Sequence, residues 1–162
     1  MQKEDFLWKT GILGSGNPHS MIDTLIFLMG LNFALRSGDE HRNLSRNQLS
    51  VSDSRSGKFL LYTEKISKAN RRGLKEYNLP RKILKCYVND EQPDRCLVRM
   101  YERYLSLCPD IAPDGPFYLQ PLKKPTLTRW FSVVPLGRNT LYRTVSRVCA
   151  QAGFKGIFFI FF

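Results

Sequence analysis

Asn17-Pro-His-Ser-Met-Ile-Asp-Thr-Leu-Ile-Phe-Leu-Met-Gly-Leu-Asn-Phe-Ala-Leu-Arg-Ser-Gly-Asp39 is the stretch on which the fold turns. Asn17 can accept from the free N–H groups of a first helical turn, and Pro18 suits that turn because its missing N–H costs nothing there. Met21, Ile22, Leu25, Ile26, Leu28, Met29 and Phe33 cover nearly every face of the helix that follows. It is therefore predicted to be buried on all sides, to end near Leu35 and to form the centre of the core. Ser37-Gly38 breaks it, and Asp39-Glu40-His41-Arg42-Asn43-Leu44 reads as a short second helix with acids in its first turn.

Downstream, Gln48–Ser52 and Phe59–Glu64 look like two strands joined by the polar turn Asp53–Gly57, with Lys65–Gly73 as a basic hairpin tip. Pro93-Asp94 opens a helix in which Leu97, Met100, Tyr101, Tyr104 and Leu105 recur at helical spacing, stopped by Cys108-Pro109. Phe117–Pro121 is a short extended segment. A last helix over Asn139–Ala152 places Leu141, Val145, Val148 and Ala152 on one face and Arg143 and Arg147 elsewhere, with Gly153 as its cap. The elements make a mainly helical α+β chain with a small antiparallel β-hairpin or three-stranded sheet. Residues 1–16 read as a flexible lead-in: Gly11-Ile-Leu-Gly14-Ser-Gly16 lacks the preceding strand and the following Lys-Ser or Lys-Thr of a phosphate loop. Residues 157–162 read as an atypical apolar tail.

The chain has 162 residues, of which 43% are hydrophobic and 12% aromatic, enough for one domain with a real core and too much for a disordered basic tail. Its net charge of +11 points to a polyanionic partner, nucleic acid being the commonest. That charge is uneven. Residues 55–85 carry ten basic side chains against Glu64 and Glu76, and residues 115–162 carry seven and no acid, whereas 1–54 and 86–114 are mildly acidic. Two basic blocks suit a protein that tracks a phosphate backbone; the plainer reading is solvated loops and helix faces. The longest apolar stretch, around Leu25–Leu35, is too short to span a bilayer, and the N-terminus lacks the basic start and apolar core of a signal peptide, so a reducing, intracellular setting is expected. Cys86, Cys96, Cys108 and Cys149 form no Cys-x-x-Cys pair, so free, mostly buried thiols are expected and no zinc site. No cofactor, metal or small-molecule substrate is expected.

Ala34-Leu-Arg-Ser-Gly-Asp-Glu40, placed after a buried helix, resembles the first box of tyrosine recombinases, in which an Arg at a helix junction precedes an acid by three residues. The resemblance makes Arg36 the first catalytic arginine and Asp39 the acid. Tyr62-Thr-Glu-Lys-Ile-Ser-Lys68 lies where that family carries its catalytic lysine, with Lys68 the best match and Lys65 second. Leu7-Trp-Lys, Asn32-Phe-Ala-Leu-Arg36, Glu40-His-Arg-Asn-Leu44, Phe117-Tyr-Leu-Gln-Pro121, Trp130-Phe and Pro135-Leu-Gly-Arg-Asn-Thr-Leu141 are similar to the Crypton-recombinase-derived domain at the C-terminus of MYM-type zinc-finger proteins and a glutamine-rich nuclear regulator. This implies a tyrosine-recombinase catalytic-domain-like fold over residues 17–156, incomplete at the C-terminus.

In such chemistry a tyrosine attacks a phosphodiester, bidentate arginines stabilise the extra charge on the non-bridging oxygens, and a lysine protonates the leaving 5′ oxygen. The resemblance also requires a His-x-x-Arg box and a nucleophilic Tyr beyond Ala152-Gly153-Phe154, where this chain runs into Phe158-Phe-Ile-Phe-Phe162; none of Tyr62, Tyr77, Tyr87, Tyr101, Tyr104, Tyr118 or Tyr142 takes that place. The expectation is a catalytically inactive, truncated relative acting in the nucleus as a DNA- or chromatin-binding module of a transcription-related regulator, with nuclear protein partners and no membrane. Its nucleic-acid-binding candidates are Arg36, Lys65, Lys68, Arg71, Arg72, Lys75, Arg138, Arg143 and Arg147, of which Arg36 and Lys68 are the vestigial catalytic pair. Arg36 could instead pair with Asp39 or Glu40 or cap a helix, and Lys68 could be a solvated hairpin lysine. His19 and His41 read as structural or exposed, and Trp8 and Trp130 as core more than base-stacking groups. Two other readings stay open: a protein-interaction domain with a vestigial basic surface, and a piece of a mobile-element recombinase.

Overall fold

The computed structural model describes residues 3–35, 38–65 and 81–151. Its helices are α1 (Lys3–Lys9), α2 (Pro18–Phe33), α3 (Gly38–Arg42), α4 (Leu97–Ser106) and α5 (Arg138–Gln151), and its strands are β1 (Leu49–Ser54), β2 (Gly57–Thr63), β3 (Ile83–Tyr87), β4 (Leu119–Pro121) and β5 (Phe131–Pro135). The chain is α+β with an antiparallel sheet of order β1-β2-β3, and β4 and β5 form a separate antiparallel pair. No described helix is long and apolar enough to cross a membrane.

The central helix forms for the reasons its sequence suggests. Asn17 caps it, accepting from the Ser20 N–H at 2.9 Å, Pro18 occupies the first turn, and the apolar side chains from Met21 to Phe33 are buried with the exception of half-buried Phe27 and exposed Leu31. It stops because Ala34 turns left-handed (φ 52°), a conformation that ends the i to i−4 ladder. Beneath it, Leu49, Leu60 and Tyr62 bury the inner face of the sheet. The register pairs Leu49 with Tyr62 and Val51 with Leu60, then Leu60 with Cys86 and Tyr62 with Leu84, so alternate residues of all three strands share that inner face. The amphipathic helix α4 closes the other side with Leu97, Val98, Met100, Tyr101 and Tyr104, preceded by a 3-10 turn over Pro93–Arg95.

Aromatic rings fill the space between α4 and the β4–β5 pair. Tyr104 packs edge-on to Phe131 at 4.8 Å between centroids, and Tyr101 stacks on Phe117 at 5.9 Å. The Tyr104 hydroxyl donates to the Phe117 carbonyl at 2.7 Å and accepts from the Leu119 N–H at 2.9 Å, so one side chain satisfies two buried backbone groups.

Three features depart from expectation. The lead-in carries α1, and Leu7 and Leu13 bury against Val148 of α5, while Thr24 Oγ1 accepts from the Gly14 N–H at 2.8 Å and donates to the Gly14 carbonyl at 3.0 Å. A seven-residue helix is unstable alone, so tertiary contacts hold it: this packing, and Arg95, whose Nη1 donates to Asp5 Oδ1 at 2.6 Å and whose guanidinium lies 5.5 Å over the Trp8 ring. Strand β3, to which the sequence assigns no residues, completes the three-stranded alternative of the expected sheet, and β5 pairs with the expected extended segment, here shortened to β4. The Ala152 and Gly153 cap, the tail and most of the basic hairpin tip lie outside the described residues, as does the side chain of Val145. Cys86, Cys96 and Cys108 are free thiols, Cys96 buried and the other two half-buried, and burial pushes Cys86 and Cys108 up to about 11.

Candidate nucleic-acid interface

Arg36 lies outside the described residues, but both of its neighbouring segments are placed. At the end of α2 the Phe33 carbonyl accepts from Lys82 Nζ at 2.8 Å, and the Phe33 ring stacks on Tyr62 at 5.2 Å. Tyr62 is on β2 and Lys82 immediately precedes β3, so the helix end that leads into Arg36 sits at the base of the β2–β3 connection. Lys65 is exposed at the start of that connection; Lys68, Arg71, Arg72 and Lys75 within it lie outside the described residues.

On the other side of Arg36, helix α3 meets α5. Asp39 accepts from the Tyr142 hydroxyl, Arg138 Nη2 stands 3.9 Å from the same carboxylate, and the Arg138 guanidinium lies 5.3 Å over the Tyr142 ring. These neighbours, first among them the Tyr142 hydroxyl, hold the Arg138 pKa above its ordinary value. A glycine is required at position 38 because a Cβ there would meet Tyr142 Cγ at 2.6 Å. Asp39 is thus engaged by two side chains from a helix about a hundred residues later, a pairing with no local sequence signal.

His41 turns inward. Its Nδ1 is 2.9 Å from the Tyr118 hydroxyl, and burial drives its pKa down to about 4, so it is neutral at pH 7. An open cleft of about 470 Å³ lies beside it, lined in part by Arg42, Tyr118, Leu136, Arg138 and Leu141. With a neutral imidazole in its wall, the cleft has Arg42 and Arg138 exposed at its rim, Arg138 beside the exposed Asp39 carboxylate.

The remaining candidates divide. Arg143 is exposed on α5. Arg147 is committed to the fold: its Nη1 donates to Asp23 Oδ2 at 2.9 Å and its Nη2 donates to Asp23 Oδ1, tying α5 to α2. Lys123, Lys124 and Arg129, absent from the sequence-derived candidates, are all exposed on the loop between β4 and β5. The signal for them was available in the acid-free stretch from residue 115 onward. Trp130, at the root of that loop, is half-buried with Arg103 5.6 Å over its ring. Among the described residues no three His, Cys, Asp or Glu side chains converge on a metal-sized site.

Residues 1–150 match the family described as a domain of unknown function, DUF3504. The chain belongs to the DUF3504 family. Within known proteins the DUF3504 chain is 31% identical over 164 residues to Zinc finger MYM-type protein 3 of Mus musculus, covering 91% of this chain and 12% of that protein. It is 28% identical over 163 residues to Zinc finger MYM-type protein 2 of Homo sapiens, covering 90% of this chain and 12% of the relative. It is 27% identical over 157 residues to Transcriptional regulator QRICH1 of Homo sapiens, covering 90% of this chain and 20% of the relative. The likeness to MYM-type zinc-finger proteins and to the transcriptional regulator QRICH1 is therefore shown, and the chain spans an eighth to a fifth of the length of these relatives. No solved structure matches it.

Proposed function

We propose that this DUF3504 chain is a non-catalytic DNA- or chromatin-binding module of a nuclear, transcription-related regulator, descended from a Crypton-type tyrosine recombinase. The observation that carries the reading is the acid-free run from residue 115, which sets Lys123, Lys124, Arg129, Arg138 and Arg143 on the surface of the β4–β5 hairpin and α5. One of its relatives is named as a transcriptional regulator, which supports a regulatory role and a nuclear setting. The recombinase descent is supported by the resemblance of Ala34-Leu-Arg-Ser-Gly-Asp-Glu40 to the recombinase box and by the contact of Phe33 with Lys82 and Tyr62, which sets the end of α2 against the two residues that flank the β2–β3 connection. Residues 17–156 would be the recombinase-like unit.

Five phosphate contacts imply a slope of log affinity on log salt near about −4.5, a loss of roughly 10²–10³-fold between ~50 and ~200 mM salt. Fluorescence anisotropy with a labelled duplex measures this. An affinity flat across that range overturns the proposal, and a phosphotyrosyl adduct on a nicked duplex overturns its non-catalytic part.

A second reading is favoured by one observation. Ile83 and Tyr87 are exposed on the outer face of β3, a strand paired on one side only in the described sheet, as a protein-docking surface would have them. A protein partner retained after nuclease treatment, together with no binding to DNA, would select that reading.

A further inference from the structure

Leu127 stands at the tip of the β4–β5 hairpin with 98% of its surface exposed, more than any other large apolar residue described. A lone exposed leucine needs no explanation on most surfaces, but this one is held out on a built support. The turn closes on itself: the Thr126 N–H donates to the Arg129 carbonyl at 2.9 Å, and the Arg129 N–H donates to Thr126 Oγ1 at 3.0 Å. Below it, the Leu122 N–H donates to the Trp130 carbonyl at 2.8 Å, and the Trp130 N–H donates to the Leu107 carbonyl at the end of α4 at 2.9 Å. Phe131 is fully buried at the root. The tip is thus projected from the core with little ordering left to be lost on binding.

Its flanks are cationic. Lys123 and Lys124 precede the tip, Arg129 follows it, all three are exposed, and the nearest acid in the sequence on either side is Asp114. Nucleic-acid binders use such pairings of an apolar wedge with flanking cations to unstack a base step and kink the duplex. Leucine has no aromatic face on which single-strand bases could stack, so the chemistry fits a duplex and not a single strand.

We propose that the β4–β5 hairpin is a DNA-bending wedge, in which Leu127 enters a base step of duplex DNA while Lys123, Lys124 and Arg129 hold the adjoining phosphates. The inference rests on the DNA-binding reading above and adds its mode. Pyrimidine–purine steps unstack most readily, so a step such as TA is the preferred entry point.

The test uses the full chain and a duplex of about 20 base pairs carrying 2-aminopurine at a central TA step and a donor–acceptor dye pair at its ends. The expected result is a rise in 2-aminopurine emission and a shortened end-to-end distance at saturation. Leu127→Ala should abolish most of both signals, Leu127→Met should retain them, and neither should change the salt slope, since no charge is removed. Lys123→Gln with Lys124→Gln should reduce that slope by about 2 while leaving the bend at saturation. Exposure of Leu127 makes these variants neutral to folding, which a thermal melt verifies. Salt-dependent binding with no unstacking, or Leu127→Ala that unstacks and bends as well as the parent, overturns the wedge and leaves the DNA-binding reading standing. Absence of duplex binding at any salt overturns both.

Discussion

Arg147 of α5 forks onto Asp23 of α2, each guanidinium Nη facing one carboxylate oxygen. The carboxylate is nearly buried, its side chain 9% exposed, whereas the arginine keeps 42% of its side-chain surface in water. A buried carboxylate is tolerated only when its charge is answered, and here the answer comes from a helix 124 residues away. The pair fastens the acid-free helix to the core.

Arg147→Gln should therefore destabilise the chain by about 1–3 kcal/mol, discounted from a fully buried pair because the arginine is part-solvated. Asp23→Asn in the same background should recover part of the loss, since the uncompensated charge is removed. A double-mutant cycle by urea unfolding measures the coupling, and an Arg147→Gln melt equal to the parent's would refute it.

Arg143, exposed one turn earlier on α5, should behave in the opposite way. Arg143→Gln is expected to leave the melting temperature unchanged and to lower the salt slope of DNA binding by about 1. Comparing the two arginines by melt and by anisotropy separates a structural cation from an interfacial one.

Tyr104→Phe removes the hydroxyl that bridges the Phe117 carbonyl and the Leu119 N–H. Both backbone groups are then left unanswered in the core, at a cost of about 1–3 kcal/mol. Loss of near-ultraviolet circular dichroism at a lower urea midpoint is the expected signature, because the same ring packs on Phe117 and Phe131.

His41 should make stability fall in mild acid. Its pKa lies near 4 when folded against an ordinary 6.5, so between those values the unfolded chain binds the proton and the folded chain does not. Its contribution is fully present above about pH 6.5 and declines as pH drops toward 4, with an upper bound of about 3 kcal/mol. In His41→Gln the acid-side slope of the unfolding free energy should be shallower than in the parent; equal slopes over that window would refute the assignment.

Arg46 carries a cost that should be removable. Its Nε and Nη2 are buried without an oxygen or nitrogen acceptor, and the polar groups beside it are the Cys108 thiol, a weak acceptor, and the tyrosines of α4. Arg46→Met keeps the length of the side chain and removes the unanswered polar atoms, so it should be neutral or raise stability by about 1 kcal/mol. A fall of comparable size in a urea titration would contradict this.

Where local chemistry alone selects a structure, the sequence was legible. Asn17 and Pro18 start α2, the turn before Gly57 sets β1 against β2, and the spacing from Leu97 to Tyr104 marks α4. Helix α1 was illegible because seven residues carry too little intrinsic helix stability, and what orders them are residues far along the chain, Arg95 on Asp5 and Trp8 and Val148 on Leu7. β3 (Ile83-Leu-Lys-Cys-Tyr87) and β5 (Phe131-Ser-Val-Val-Pro135) show no clean apolar–polar alternation, and they are strands because partners are present.

The candidate interface divides along the same line. Composition and order of residues determined the family, the central helix, the excess of positive charge and its concentration in two blocks, the second of them free of acids, because these are properties of the chain itself. Tertiary structure decided which of those charges remain for a partner. It joined Arg147 to Asp23, set Tyr142 and Arg138 around Asp39, turned His41 to Tyr118, and held Leu127 out between exposed cations. The reason is physical: a charge is identified by its residue, but whether it is free depends on what stands within a few ångströms of it, and that is decided by contacts between residues far apart in sequence.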